Sequence, residues 1–594
     1  MITAEMLLKK NLIVNPCWLR TFPISLSNKN MKNLVFFYVL LISSSLAISC
    51  KKDFQFRETN TTKPITNSRE LNTALLYKVY YVSPAGNDNN DGSSITTPWQ
   101  TLIKVNAQIF APGDQVLFEG GKTFTGTLSI NSSGTNGNNI KFASYGTGKA
   151  SIISGNNNGI FIYNNSFILI DNLIVTGGWK AIEQAGNNGY GIFFYTTLPN
   201  AAKLGNVFVY NCEVSGFKNA GISFMSYPAD LSQGGYSNIV VRGNSVYGNG
   251  SVGISTWSPT PAAGNTVYAF PNVVVAYNKV YDNMGIKSNT TSHSGDGIMI
   301  GDASGGLVSN NISYNNGWYN ACLTEGPAAI WCYDSKNLVF QYNEAHHNGT
   351  GAGTPDGDGF DLDGGTTNCI MQYNYSHDNY AAGFLVWEYG NTRINNSNNT
   401  IRYNISQNDN INNNNTIYGG ISVGPNCSYN LIYNNTIWSN KGSSVFVYGG
   451  NKNHFYNNIF FATQTNTPII NVVNSTTDCW FLNNDYYNPL GFTIKFKGTT
   501  YSTLSNFRAT GNERFNSINY GYNTDPLLSR PGTGATFNSF NPSTLTNYSL
   551  NAGSPMIDKG YNLTSWNMNV GSVDFNKASI PFGGGYDIGA CEKH

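Results

Sequence analysis

Between Ser288 and Thr392 the chain gathers its acids: Asp296, Asp302, Glu325, Asp334, Glu344, Asp356, Asp358, Asp361, Asp363, Asp378 and Glu388. Four of its six histidines, His293, His346, His347 and His377, lie in the same stretch, where the only basic partner is Lys336. Crowded carboxylates without cations are costly unless a proton, a metal or a ligand relieves them, so such clusters point to chemistry. Paired carboxyls about 5–5.5 Å or 6.5–9.5 Å apart cleave glycosidic bonds with retention or inversion. Glu388 is the expected general acid, with Asp363, or Asp361 in its place, as nucleophile or base. Asp302, Asp334, His346, His347 and His377 are expected to bind hydroxyls or tune those acids. Trp387 and Tyr389 flank Glu388 and offer faces for stacking against a sugar ring.

The elements that must position these residues are repeats. Six-letter segments recur at Asn244 (NSVYGN), Asn278 (NKVYDN), Asn311 (NISYNN), Asn343 (NEAHHN), Asn374 (NYSHDN), Asn404 (NISQND) and Asn435 (NTIWSN), 30 to 34 residues apart. A fixed period in this range means one supersecondary unit stacked many times. Alternating apolar residues before each motif and a short apolar run after it give strands rather than helices. The expected fold is all-β, a parallel β-helix, with Asn at the corners. Aligning Ile298, Ile330, Phe360, Phe384 and Ile421 as one inward column turns Asp361 and Asp363 outward on either side of Leu362. Coils stack about 4.8 Å apart. Asp363 and Glu388 therefore fall near one turn of neighbouring coils.

The net charge is +1 and only 11% of residues are charged, which excludes a nucleic-acid partner held by a basic face. Tyr-rich, weakly charged surfaces suit sugars. Nine scattered cysteines lack any C-x-x-C pair, so no zinc site is expected from them. Cys322 and Cys332 are close enough to bridge a loop, the alternative being small buried core residues. Met31-Lys32-Asn33, the apolar run Leu34 to Ile48 and Cys50 resemble a bacterial lipoprotein signal. The resemblance implies a start at Met31, lipidation at Cys50, and an exported chain anchored in the outer membrane or at the cell surface. The expected organisation is a signal region over 1–50, a tether over 51–75, an N-terminal cap with a short helix over 76–127, coils over 128–490 and a β-rich C-terminal segment over 491–594, acting as a monomer.

The segments YYVSPAGNDNNDGS, PWQTL and PGDQVLFEGGKTF near the start, and AGSPMIDKG and GGGYDIGACE near the end, resemble right-handed parallel β-helix enzymes that degrade polysaccharides. That resemblance implies a polysaccharide or oligosaccharide substrate. Asp358-Gly359-Phe360-Asp361-Leu362-Asp363 resembles the D-G-x-x-x-K motif of β-helix pectate lyases, but Asp363 stands where the lysine would be. The expected activity is therefore glycoside hydrolysis with no required cofactor. The alternatives are a calcium-dependent lyase, with Asp356 and Asp358 among the metal ligands, and a glycan-binding surface protein without catalysis.

Overall fold

The computed structural model describes residues 77–412, 418–537 and 540–594. The leader, Cys50 and the tether lie outside the described residues. Three sheets of 14, 14 and 13 strands run side by side, parallel throughout except for the antiparallel last strand of the second, and each coil contributes one strand to each sheet. At about 4.8 Å per strand, a 14-strand sheet is roughly 60 Å long.

The inward column is the one expected. Ile298, Ile330, Phe360, Phe384 and Ile421 are successive ladder partners. All five are buried in one core, and the rings of Phe360 and Phe384 stack at 5.1 Å. Burying each such side chain contributes about 1.5–3 kcal/mol.

The Asn motifs form buried ladders. Asn244, Asn278, Asn311, Asn343, Asn374, Asn404, Asn435, Asn458 and Asn484 each donate from Nδ2 to the Oδ1 of the next, at 2.9–3.0 Å. The last, Asn484, donates to Glu513 at 2.9 Å. A second ladder runs from Asn249 through Asn283, Asn316, Asn348 and Asn379 to Asp409. Because every amide donates in one direction, each ladder must end on a group that only accepts, which a carboxylate supplies.

Near the N-terminal end, Thr101 caps a short helix, Leu102–Asn106, whose Leu102 and Val105 join the core with Trp99 and Phe110. Ile109, beyond the helix, is exposed. Asp88 and Asp91 accept hydrogen bonds from residues 93–101 and form turns. The seven cysteines among the described residues are buried and unpaired, Cys322 and Cys332 included. Beyond Phe496 the chain is not β-rich. Among the described residues it holds short strands, the helix Leu504–Arg508 and three 3₁₀ turns. It then runs back along the coils, where Phe537, Tyr548 and Phe575 pack on Tyr373, Tyr375 and Tyr403.

Candidate active site

The second sheet carries the site. On its outward face Met299, Trp331, Asp361 and Leu385 are ladder neighbours in one row. The alternation that sends Phe360 and Leu362 inward sends Asp361 out, yet it stays only 6% exposed because loops cover this face. Asp358 begins the same strand, Asp358–Leu362, and its Oδ1 accepts the Ala382 N–H at 2.6 Å. Asp356 lies just before it in the left-handed region, at φ +64°. The Tyr418 hydroxyl donates to Asp356 Oδ1 at 2.6 Å. Asp363 follows the strand, half-buried, with its backbone N–H on Cys332 O at 2.9 Å.

These four acids share one electrostatic fate. Burial pushes Asp363 up to about 8, with Asp356 and Glu388 adding repulsion and the Gly364 N–H opposing it. Burial, then the neighbouring carboxylates, hold Asp358 and Asp361 well above the ordinary carboxylate range. Burial also raises Asp356, against the hydrogen bond from Tyr418. A group so crowded retains protons at neutral pH, and the cluster titrates as a unit.

Two further residues complete the patch. His293 Nδ1 meets Asp296 Oδ2 at 2.8 Å, and its ring stands edge-on to Trp331 with centroids 5.3 Å apart. Burial opposes its charge, but Asp296 carries it up to about 9. It keeps 24% of its side-chain surface, so it reaches solvent. Neither His293 with Asp296 nor Tyr418 was expected here. The i, i+3 spacing of His293 and Asp296 was a usable signal. Tyr418 comes from a later coil, and nothing local marks it. Three buried polar atoms in this patch have no partner: Asp358 Oδ2, Asp361 Oδ1 and Trp331 Nε1. Buried polar atoms are nearly always paired, so these ask for a ligand or water.

Glu388 is placed differently from its expected role. Its Oε2 accepts the N–H groups of Gly365 at 3.0 Å and Asn396 at 2.7 Å. Its Oε1 accepts the Gly390 N–H at 2.8 Å and the Thr392 hydroxyl at 3.2 Å. Holding four donors, this carboxylate ties the loop 388–396 to the coil. Trp387 and Tyr389 do lie beside the patch. Trp387 packs on the cluster of Ala381, Ala382, Leu385 and Tyr418, and Tyr389 covers Gly364.

Asp302 and Asp334 are not free to meet a substrate either. Arg393, one residue past the acidic stretch, pairs with Asp302 through Nη2. Its backbone N–H donates to Asp334 at 3.1 Å, and its guanidinium covers Tyr268 at 3.9 Å. Burial still lifts Asp302 to about 6 against that arginine. His346, His347 and His377 belong to another face altogether. Strands Glu344–His346 and Tyr375–His377 are in the third sheet, and His346 stacks between Tyr314 and His377. Burial, then His377 and His347, holds His346 down at about 2. Burial opposes a charge on His377, yet Asp378 and Glu344 raise it to about 9. The second sheet's acids and these histidines do not form one site. Asp356 and Asp358 each have one oxygen taken by an O–H or N–H donor, and Asp358 Oδ2 is left without a partner. Two shallow hollows of about 310 and 380 Å³ lie elsewhere, and they contain no carboxylate pair.

With this geometry in view, residues 264–401 match the family described as right handed beta helix region. The chain is a right-handed parallel β-helix. The matched stretch spans every acid of the patch, but not Tyr418. The chain is 26% identical over 488 residues to a lacto-N-biosidase of Bifidobacterium longum subsp. longum, covering 65% of this chain and 29% of that protein. The β-helix thus spans less than a third of the length of that curated relative. Among solved structures it is similar to a GH136 lacto-N-biosidase from Eubacterium ramulus, at 22% identity and TM-score 0.48 over 68% of each chain. It is also similar to the pectate lyase Pel9A, at 18% identity and TM-score 0.42 over 87% of this chain and 96% of that one. These structural likenesses carry no argument about chemistry.

Proposed function

We propose that the β-helix is a glycoside hydrolase whose acid/base pair is Asp356 and Asp363. One observation carries this: of the four acids on the strand and its lead-in, these two keep open surface, while Asp358 and Asp361 are closed off. Asp363 keeps its expected part, and Asp356 takes the place of Glu388. Two carboxyls crowded in a poorly solvated cleft cannot both ionise near neutrality. One therefore holds the proton a leaving group needs while the other is an anion, the division of labour in glycosidases. Asp361 Oδ1, Asp358 Oδ2 and Trp331 Nε1, unpaired and buried, are suited to sugar hydroxyls. Trp387, Tyr389 and Trp331 supply apolar faces.

The lyase alternative is less favoured. Lys336 Nζ lies over the Tyr268 ring at 4.5 Å, beside the arginine knot. Asp296 raises His293 to about 9 against burial, which disfavours it as a neutral base. The likeness to a lacto-N-biosidase makes that activity the first to assay, on oligosaccharides. Export and lipidation at Cys50 rest on the leader sequence.

The test is release of reducing ends, with near-ultraviolet absorbance of unsaturated products monitored alongside. Asp356→Asn and Asp363→Asn should each lose about 10³-fold or more in kcat while keeping the fold. Hydrolysis surviving in both variants, or unsaturated product from the native chain, would overturn the assignment.

A further inference from the structure

The two motifs NEAHHN and NYSHDN differ from the other repeats at the same two positions. His346-His347 on one coil stands beside His377-Asp378 on the next, and His346 is the ladder partner of His377. The coils on either side place Tyr314-Asn315 and Gln407-Asn408 there. Coil stacking thus makes a two-by-two grid of ligating side chains, about 4.8 Å on its stacking edge. His346 and His377 end strands and stack face to face, with centroids 4.8 Å apart. His347 and Asp378 follow in the left-handed region, at φ +53° and +54°, which turns both side chains to the same end of the strands.

The ligating atoms converge. His346 Nδ1 lies 2.9 Å from His347 Nδ1, and His377 Nδ1 lies 2.9 Å from Asp378 Oδ2. The donor atoms of His347, His377 and Asp378 all fall within 4.8 Å of one another. Ligand bonds of about 2.0–2.1 Å give polyhedron edges of roughly 2.9–3.4 Å, so the 2.9 Å spacing of His377 Nδ1 and Asp378 Oδ2 matches two neighbouring ligands of one ion, with His347 close enough to join them.

An independent observation is the outer support. Glu344, fully buried, takes His377 Nε2 at 3.0 Å, leaving Nδ1 to the grid. Asn408 Nδ2 holds Asp378 Oδ1 at 2.5 Å, leaving Oδ2 to the grid. Carboxylates and amides that orient the far side of each ligand are the usual outer shell of a protein metal site. His347 is exposed and Asp378 half-buried, so the grid has an entry path from solvent.

We propose that these two coils bind one divalent transition-metal ion of the zinc class through His347, His377 and Asp378, with His346 stacked behind them. Two imidazoles and one carboxylate favour zinc, cobalt or nickel over calcium or magnesium. The site is separate from the acid patch and independent of the hydrolase assignment. Through Glu344, which also accepts the Phe537 N–H at 2.9 and 3.0 Å, the ion would brace the returning C-terminal segment.

The experiment uses the untagged exported chain, stripped with chelator, and titrates it with Co²⁺ and then Zn²⁺. We expect one Co²⁺ per chain with visible d–d absorbance, displaced by one Zn²⁺, and a raised Tm. His347→Ala, which removes an exposed side chain, and Asp378→Asn should each weaken binding at least tenfold. Glu344→Gln should weaken it roughly 10–100-fold, and His454→Ala should leave it unchanged. No saturable binding below about 1 mM, or binding unmoved by His347→Ala and Asp378→Asn, overturns the proposal.

Discussion

Replacing Glu388 by Gln tests whether this carboxylate anchors a loop or moves a proton. The native group accepts two bonds on each oxygen: Gly365 and Asn396 on one, Gly390 and Thr392 on the other. A glutamine must turn its NH₂ toward one of these pairs. Facing Gly365 and Asn396, it would confront two backbone N–H groups. Facing Gly390 and Thr392, it confronts one, because the Thr392 hydroxyl can rotate to accept. The second orientation costs the Gly390 bond, about 1.5–3 kcal/mol for a charge-assisted interaction. The two remaining backbone bonds weaken as the charge disappears, adding roughly 0.5–1 kcal/mol. The expected loss is about 2–4 kcal/mol, local to residues 365 and 388–396. Calorimetry should show a lower Tm, and amide exchange should quicken at Gly365, Gly390 and Asn396. Activity should fall through misplacement of Trp387 and Tyr389, with the shape of the pH–rate profile preserved. An unchanged Tm and unchanged exchange, together with a loss of more than about 10³-fold in kcat and a missing limb of the pH profile, would refute this and return Glu388 to the chemistry.

The acid patch makes stability depend on pH. Asp363 folded titrates at about 8, against about 3.9 unfolded, so between these values the folded chain holds a proton that the unfolded chain has released. Stability should therefore fall as pH rises from about 4 to 8, and Asp363→Asn should make that fall shallower by up to about 1.4 kcal/mol per pH unit. Urea midpoints at several pH values read this directly, and parallel slopes for the two proteins would contradict it. In the amide ladder, Asn311→Ala strands Val275 O and the Asn278 N–H, both buried, and should cost about 2–5 kcal/mol. An unfolding midpoint within error of the native one would show that the ladder is filler rather than support.

The coil register was readable because it is periodic. Side-chain alternation and a 30–34-residue repeat place Phe360 inward and Asp361 outward without knowledge of any other part of the chain. The Asn corners follow from the same repeat, while the structure shows that Asp409 in NISQND ends the second ladder as its acceptor. What the repeat hid is which acids are already satisfied. Arg393 lies outside the acidic stretch, and the loop that carries it brings it onto Asp302 and Asp334.

The sequence alone determined the fold and the clustering of acids, because strand period and coil spacing are local geometric constants. Only the tertiary structure decided which carboxylates are free. Loop 388–396 folds its N–H groups onto Glu388, and Tyr418 arrives from a later coil onto Asp356. The three histidines of the motifs turn onto a different sheet from the acids. Hydrogen-bond partners and burial set a carboxyl's protonation state, and both depend on aperiodic loops that no repeat encodes.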